Sequence, residues 1–78
     1  MARAVIEFKK DIGRLIPLIG KSVEGCAYNH ESNIAGFQVD NLRVVIGQNR
    51  MNIYGTDDEP TIKKMIDWLI YRIRENRR

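Results

Sequence analysis

Alternation of apolar and polar side chains along the chain predicts five β-strands. In residues 4–8, Ala4, Ile6 and Phe8 fall on one face and the residues between them on the other, which is typical of a half-buried strand. Short polar clusters separate the later apolar runs and suit tight turns, and such short connections make neighbouring strands antiparallel. The strands are predicted at residues 4–8, 23–28, 33–39, 42–47 and 50–55, with Asp40-Asn41 and Gln48-Asn49 as two-residue turns.

Two other stretches have the period of amphipathic helices. The first is expected to begin after Asp11 as N-cap, to bend at Pro17 and to end near Gly20. The second is expected to begin after Asp58, with Pro60 in its first turn, where a missing N–H group costs little. Its apolar stripe is expected to be buried and consists of Ile62, Met65, Ile66, Leu69, Ile70 and Ile73.

The element order β-α-β-β-β-β-α predicts a two-layer α+β fold. A helix that crosses one face of the sheet can bring the first strand to an edge of the later four-stranded meander. We therefore expect a five-stranded, mainly antiparallel sheet with two helices on one face. The 78 residues suffice for one small domain, residues 1–78.

Composition narrows the class of protein. The chain is 44% hydrophobic and 29% charged, which is typical of a folded globular protein. It contains no apolar run of about 18 residues, and its first residues lack the apolar core of a leader peptide, so we expect a cytoplasmic protein without a membrane segment. The single cysteine, Cys26, allows no internal disulfide and too few ligands for a zinc or iron–sulfur site. We expect no metal and no cofactor.

The formal net charge of +3 is concentrated at the C-terminus. The helix macrodipole favours cations at a helix C-terminus, so this cluster has a structural explanation. Binding of nucleic acid through the sheet and the basic helix is kept as an alternative function. The terminal cluster consists of Arg72, Arg74, Arg77 and Arg78, against one acid, Glu75.

The predicted order and the segment Leu42-Arg43-Val44-Val45-Ile46-Gly47-Gln48-Asn49-Arg50-Met51-Asn52-Ile53-Tyr54-Gly55 resemble one repeat of the TATA-binding protein fold. The resemblance covers about residues 28–76 and implies half of that fold. The family has two repeats in one chain and kinks DNA with phenylalanine wedges. This chain has Asn33 and Ile46 at the corresponding places, so the resemblance does not extend to the wedges.

Three short segments are similar to the amino-terminal region of iron–sulfur cluster proteins of anaerobic archaea and bacteria. They are Tyr28-Asn29-His30-Glu31, Asp57-Asp58-Glu59 and Asp67-Trp68-Leu69. In those proteins a separate cysteine-rich segment follows and would hold the cluster. The resemblance implies the company of a partner domain and a link to anaerobic iron–sulfur metabolism, without implying cluster binding at Cys26.

Two small groups of residues suggest chemistry, and each has a simpler explanation. Cys26 and His30 are four residues apart and could form a thiolate–imidazole pair, but a lone cysteine in a strand is more often a small buried residue. The run Asp57-Asp58-Glu59 could hold a hard cation, but capping of the last helix explains two of the three residues. Phosphate loops and catalytic triads are absent, so we expect no enzyme activity.

The open face of the sheet carries the functional hypothesis. We expect Val45, Met51 and Ile53 to face the helices, whereas a register slipped by one residue would reverse every assignment. Exposed apolar residues on the open face would form a docking surface for another protein or a second copy. The docking residues are predicted as Leu42, Val44, Ile46, Asn52 and Tyr54, and the phosphate contacts of the alternative function as Arg43, Arg50, Arg72 and Arg74.

Overall fold

Five strands and two helices follow one another in the predicted order. The computed structural model describes residues 2–77. The five strands form one sheet, in which all neighbouring strands are antiparallel. The elements are β1 (Arg3–Glu7), α1 (Ile16–Ser22), β2 (Ala27–Asn29), β3 (Ile34–Val39), β4 (Leu42–Ile46), β5 (Arg50–Tyr54) and α2 (Glu59–Asn76). The sheet order is β1-β5-β4-β3-β2, which confirms the predicted α+β layout with the first strand at an edge.

The β4–β5 hairpin determines which side of the sheet faces the helices. Its turn is the predicted pair Gln48-Asn49, closed by the Gly47 N–H, which donates to the Arg50 carbonyl at 2.9 Å. Residues directly opposite each other in an antiparallel pair point to the same face. The turn therefore places two apolar pairs on one face, and all four residues are at most 3% exposed: Val44 with Ile53 and Ile46 with Met51.

The predicted orientation of β4 is therefore wrong. Val44 and Ile46 lie beneath the helices, and Leu42, on the same face, packs at the edge of the core. Val45, which we expected to face the helices, points to the open face, because neighbouring residues in a strand alternate sides. The alternative of a register shifted by one residue describes β4 correctly but fails for β5, whose Met51 and Ile53 do face the helices.

Both helices pack on the same face of the sheet. Ile16 and Ile19 of α1 and Met65 and Leu69 of α2 belong to one buried cluster with residues from β3, β4 and β5. Trp68 covers one side of this cluster, with its ring centroid 6.1 Å from that of Phe37. The strand residues of the cluster are Ala35, Phe37, Val44, Ile46, Met51 and Ile53.

The first helix begins and ends later than predicted. Asp11 is not its N-cap, because its carboxylate instead accepts a hydrogen bond from the Gly13 N–H at 2.7 Å in the preceding loop. The helix begins at Ile16, so Pro17 falls in the first turn, where no kink is needed. Gly20 lies within the helix. A Cβ atom there would come within 3.1 Å of the Tyr28 Cβ, so this glycine allows the helix to approach β2 closely.

The second helix begins as predicted. Asp58 is its N-cap, and its carboxylate accepts hydrogen bonds from the Thr61 N–H at 3.1 Å and the Thr61 hydroxyl at 2.7 Å. Ile70 departs from the prediction, because it is 42% exposed rather than buried. Neither of the two helices in residues 2–77 is long and apolar enough to cross a membrane.

Neighbouring valines on opposite faces allow a direct test of the β4 orientation. Val44→Ala removes a fully buried side chain and should lower the free energy of unfolding by about 2 kcal/mol. Val45→Ala, the matched control, should cost less than half as much, because its side chain is partly exposed. Urea unfolding monitored by circular dichroism gives both values. Equal losses, or a larger loss for Val45→Ala, would contradict the orientation described above.

Candidate functional site

The open face of the sheet is organised in rows that run across the strands. The strand pairing places one residue from each strand in a central row. Every member of this row is uncharged and has a side chain no larger than asparagine or valine. The row is therefore low and smooth, and it consists of Val5, Asn52, Val45, Gly36 and Ala27.

A second row combines arginine with an aromatic ring. Tyr54 lies opposite Arg3 on one side and Arg43 on the other, and Gln38 lies opposite Arg43. Neighbouring strands are about 4.8 Å apart, so the two arginines are separated by about 10 Å with the tyrosine between them. Within residues 2–77 neither Arg3 nor Arg43 forms an ion pair.

Beyond the central row on its other side, the charges are paired. Arg50 contacts Glu7 at 3.3 Å, and both side chains are well exposed. An ion pair of this kind contributes little to stability, because water screens it. It does neutralise one arginine of the face. Three arginines against one glutamate, Arg3, Arg43 and Arg50 against Glu7, leave this face with a formal charge of +2.

Two shallow hollows meet on this face at Arg43 and Val45. One hollow extends from these residues to Tyr54, and the other to Gly36 and Ala27. The second hollow exists because Gly36 has no side chain. A Cβ atom there would have only the Val44 carbonyl oxygen within 4 Å, at 3.8 Å. The hollows can therefore receive small apolar groups beside an unpaired guanidinium.

The structure divides the predicted docking residues. Asn52 and Tyr54 lie on the open face as expected. Leu42, Val44 and Ile46 belong to the helix-facing side, where Val44 and Ile46 are buried and Leu42 is partly buried at the edge of the core. Sequence reasoning missed Val45 and Arg3, although the two-residue turn between β4 and β5 was recognised. Pairing the strands across that turn would have placed Val45 beside Asn52.

The predicted phosphate contacts also divide between two layers. Arg43 and Arg50 lie on the open face, whereas Arg72 and Arg74 lie on α2, which covers the opposite face. The Arg72 Nε donates to the Ser22 carbonyl at 3.4 Å, so this residue helps to hold the two helices together. The four arginines therefore do not form one continuous surface. Arg78 of the basic cluster lies outside the described residues.

Cys26 and His30 do not form a reactive pair. Desolvation by partial burial raises the pKa of the Cys26 thiol, and a hydrogen bond with the Gly36 backbone opposes this only in part. A raised pKa reduces the thiolate fraction, which is the opposite of activation. His30 is exposed, and its ring lies edge-on to that of Tyr28 at 6.3 Å between centroids. Within residues 2–77 no side-chain hydrogen bond joins Cys26 to His30.

The acidic run before α2 acts as a helix cap. The hydrogen bonds from the Thr61 hydroxyl and N–H hold the pKa of the Asp58 carboxyl below its usual value. The neighbouring Asp57 and Glu59 are exposed. In the part of the chain that the structure describes, no group of three or more histidine, cysteine, aspartate or glutamate residues could hold a metal ion.

Comparisons with protein-family models, with curated proteins and with solved structures gave no match. The two resemblances noted in the sequence therefore stay predictions, and the site has to be interpreted from its own geometry.

The Asp58 cap can be tested through its pH dependence. Because its pKa is lowered in the folded state, its stabilisation is present above the ordinary value of about 3.9 and is lost as the pH falls through the folded pKa. Asp58→Ala should lower Tm at pH 7, and the difference from the unchanged protein should shrink near about pH 2. Asp57→Ala, which removes the same charge without a capping bond, is the control. Equal losses for the two variants at pH 7 would exclude the cap.

Proposed function

We propose that this protein is a non-catalytic interaction module that docks an acidic segment of another protein on its open sheet face. The central contacts are Arg43, Val45 and Tyr54. The observation that carries the proposal is their combination, since an unpaired guanidinium lies between two shallow hollows next to partly exposed aromatic and aliphatic carbon. Tyrosine and arginine beside apolar groups are the residues that contribute most to protein interfaces.

Charge favours an acidic partner over a second copy on this face. The face has a formal charge of +2, so two copies placed face to face would oppose +2 with +2. Like charges across an interface are unfavourable, and a carboxylate opposite Arg43 would form a charge-assisted hydrogen bond. Face-to-face dimerisation, which the sequence also suggested, therefore has less support.

Nucleic acid has less support than protein as the partner of the open face. Within residues 2–77, Tyr54 is the only aromatic residue on the open face, whereas sheets that bind single strands stack two or three bases on aromatic rings. Only Arg3 and Arg43 are free to contact phosphates there, and two phosphate contacts give a weak salt dependence, with a logarithmic slope of about −1.4.

The assignment as non-catalytic has support from the candidate groups themselves. The Cys26 thiol has a raised pKa, and Asp58 is occupied in capping α2. Neither is a poised nucleophile or base. The link to anaerobic iron–sulfur metabolism depends on the sequence resemblance alone and stays a prediction.

A labelled peptide that alternates glutamate and leucine is a suitable probe of the open face. Fluorescence anisotropy should show binding that weakens about tenfold in Arg43→Glu, because a buried charge-assisted contact becomes a repulsion. Arg74→Glu makes the same change of charge on α2 and should leave the affinity unchanged. NMR shift changes should be confined to the amides around Arg43, Val45 and Tyr54.

Two control ligands distinguish an acidic peptide from nucleic acid as the partner of the open face. The same peptide with lysine in place of glutamate should not bind. A single-stranded oligothymidylate that binds more tightly than the acidic peptide, and loses binding in Arg43→Glu, would replace the proposal with nucleic-acid binding. Absence of binding by the acidic peptide at about 1 mM would overturn the proposal.

A further inference from the structure

The outer edge of β1 presents a regular row of free backbone groups. The Phe8 N–H donates to the Asn49 carbonyl at 2.8 Å, and the Gly55 N–H donates to the Ala2 carbonyl at 3.0 Å. Backbone groups alternate in direction along an antiparallel strand, so the even-numbered residues of β1 bond to β5. The N–H and carbonyl groups of Arg3, Val5 and Glu7 therefore point away from β5. Within residues 2–77 no strand pairs with that side.

The two edges of the sheet differ in how well they are protected. β2, at the other edge, has only three residues, and very short edge strands resist pairing with other chains. β1 has five residues in unbroken register with β5, without a bulge, a proline or a lysine, and Val5 at its centre is 44% exposed. Apart from the charges of Arg3 and Glu7, this edge lacks the features by which native proteins keep other chains from pairing, so it is open to a partner whose charges match.

The sequence of β1 is complementary to itself in an antiparallel arrangement. If Val5 is paired with Val5 of a second copy, Arg3 of each chain lies opposite Glu7 of the other. Both of these pairs join opposite charges on the open face, and Ala4 lies opposite Ile6 on the helix-facing side. In this register Arg3, Val5 and Glu7 form hydrogen-bonded pairs, which are the positions with outward backbone groups. A shift of one or more residues loses this charge match.

An apolar strip beside the edge extends the same surface. Ile62 and Ile66 of α2 line a groove with Ala4, Val5 and Ile6, and its lining also includes three charged residues, Asp57, Glu59 and Lys63. Ile70 continues their side of the helix at the next i+4 position and is 42% exposed, so the apolar surface extends along α2. A twofold axis perpendicular to the sheet at Val5 would bring two such strips to the same side of a joint sheet.

From these observations we infer that two copies of this chain associate edge to edge through β1. The strands pair antiparallel with Val5 at the twofold axis, and the result is a continuous ten-stranded sheet with all four helices on one side. Arg43, Val45 and Tyr54 stay uncovered in this dimer. The inference is thus independent of the proposed docking function.

Charge reversal at the two ends of β1 tests the register as well as the association. Arg3→Glu places two glutamates opposite each other across the dimer, and Glu7→Arg places two arginines opposite each other, so each variant alone should dimerise about tenfold or more weakly. A mixture of the two variants restores both opposite-charge pairs. Sedimentation velocity of the full chain should therefore show a dimer for the unchanged protein, mostly monomer for each variant, and heterodimer for the mixture.

Controls separate dimerisation from folding. Lys64→Glu changes the charge as Arg3→Glu does, but it does so elsewhere, since Lys64 of α2 lines a different groove with Val39 and Leu42. This variant should leave the dimer intact. Circular dichroism checks that each variant is folded, since Glu7→Arg also removes the ion pair with Arg50. A strictly monomeric unchanged protein at about 1 mM, or a mixture no more dimeric than its components, would overturn the inference.

Discussion

Pairing across the β4–β5 hairpin determines which face of the sheet the two helices cover. Its two-residue turn places Val44 and Ile46 on the same face as Ile53 and Met51, and this face supplies the centre of the hydrophobic core. Apolar burial is the main force that stabilises a domain of this size, so both helices must cover that face. Everything on the other face, including Arg43, is consequently left to water or to a partner.

The sequence was sufficient for the element order but not for the sheet faces. Periodicity gave the number and order of the elements, although β2, predicted at residues 23–28, lies at Ala27–Asn29. The Asp58 cap and both hairpin turns have short-range signals that do not depend on distant residues. The prediction of the orientation of β4 failed because the alternation of side chains in β4 was considered separately from that in β5. Runs such as Val44-Val45-Ile46 are apolar on both sides and carry no orientation of their own, and only the paired strand decides it.

Other features depended on contacts between residues far apart in the chain. Gly20 looked like a helix end, but it lies within α1, where a Cβ atom would crowd Tyr28 of β2. The exposure of Ile70 could not be inferred from the helical stripe, which gives a direction but not the width of the sheet beneath it. The open face and the β1 edge are therefore properties of the assembled sheet. The open face presents the unpaired Arg43, whereas the β1 edge presents Arg3 and Glu7 in a self-complementary order, so the two surfaces suit different partners.

The open face exists as described only if Val45 faces outward while Val44 is buried beneath the helices. The most direct measurement is the relaxation enhancement of valine methyl protons by a soluble paramagnetic gadolinium chelate, which falls steeply with distance from the solvent. We expect strong enhancement for Val5, weaker but clear enhancement for Val45, and almost none for Val44. Enhancement of Val44 equal to or greater than that of Val45 would contradict this expectation, because the hairpin would then present its other side to the helices.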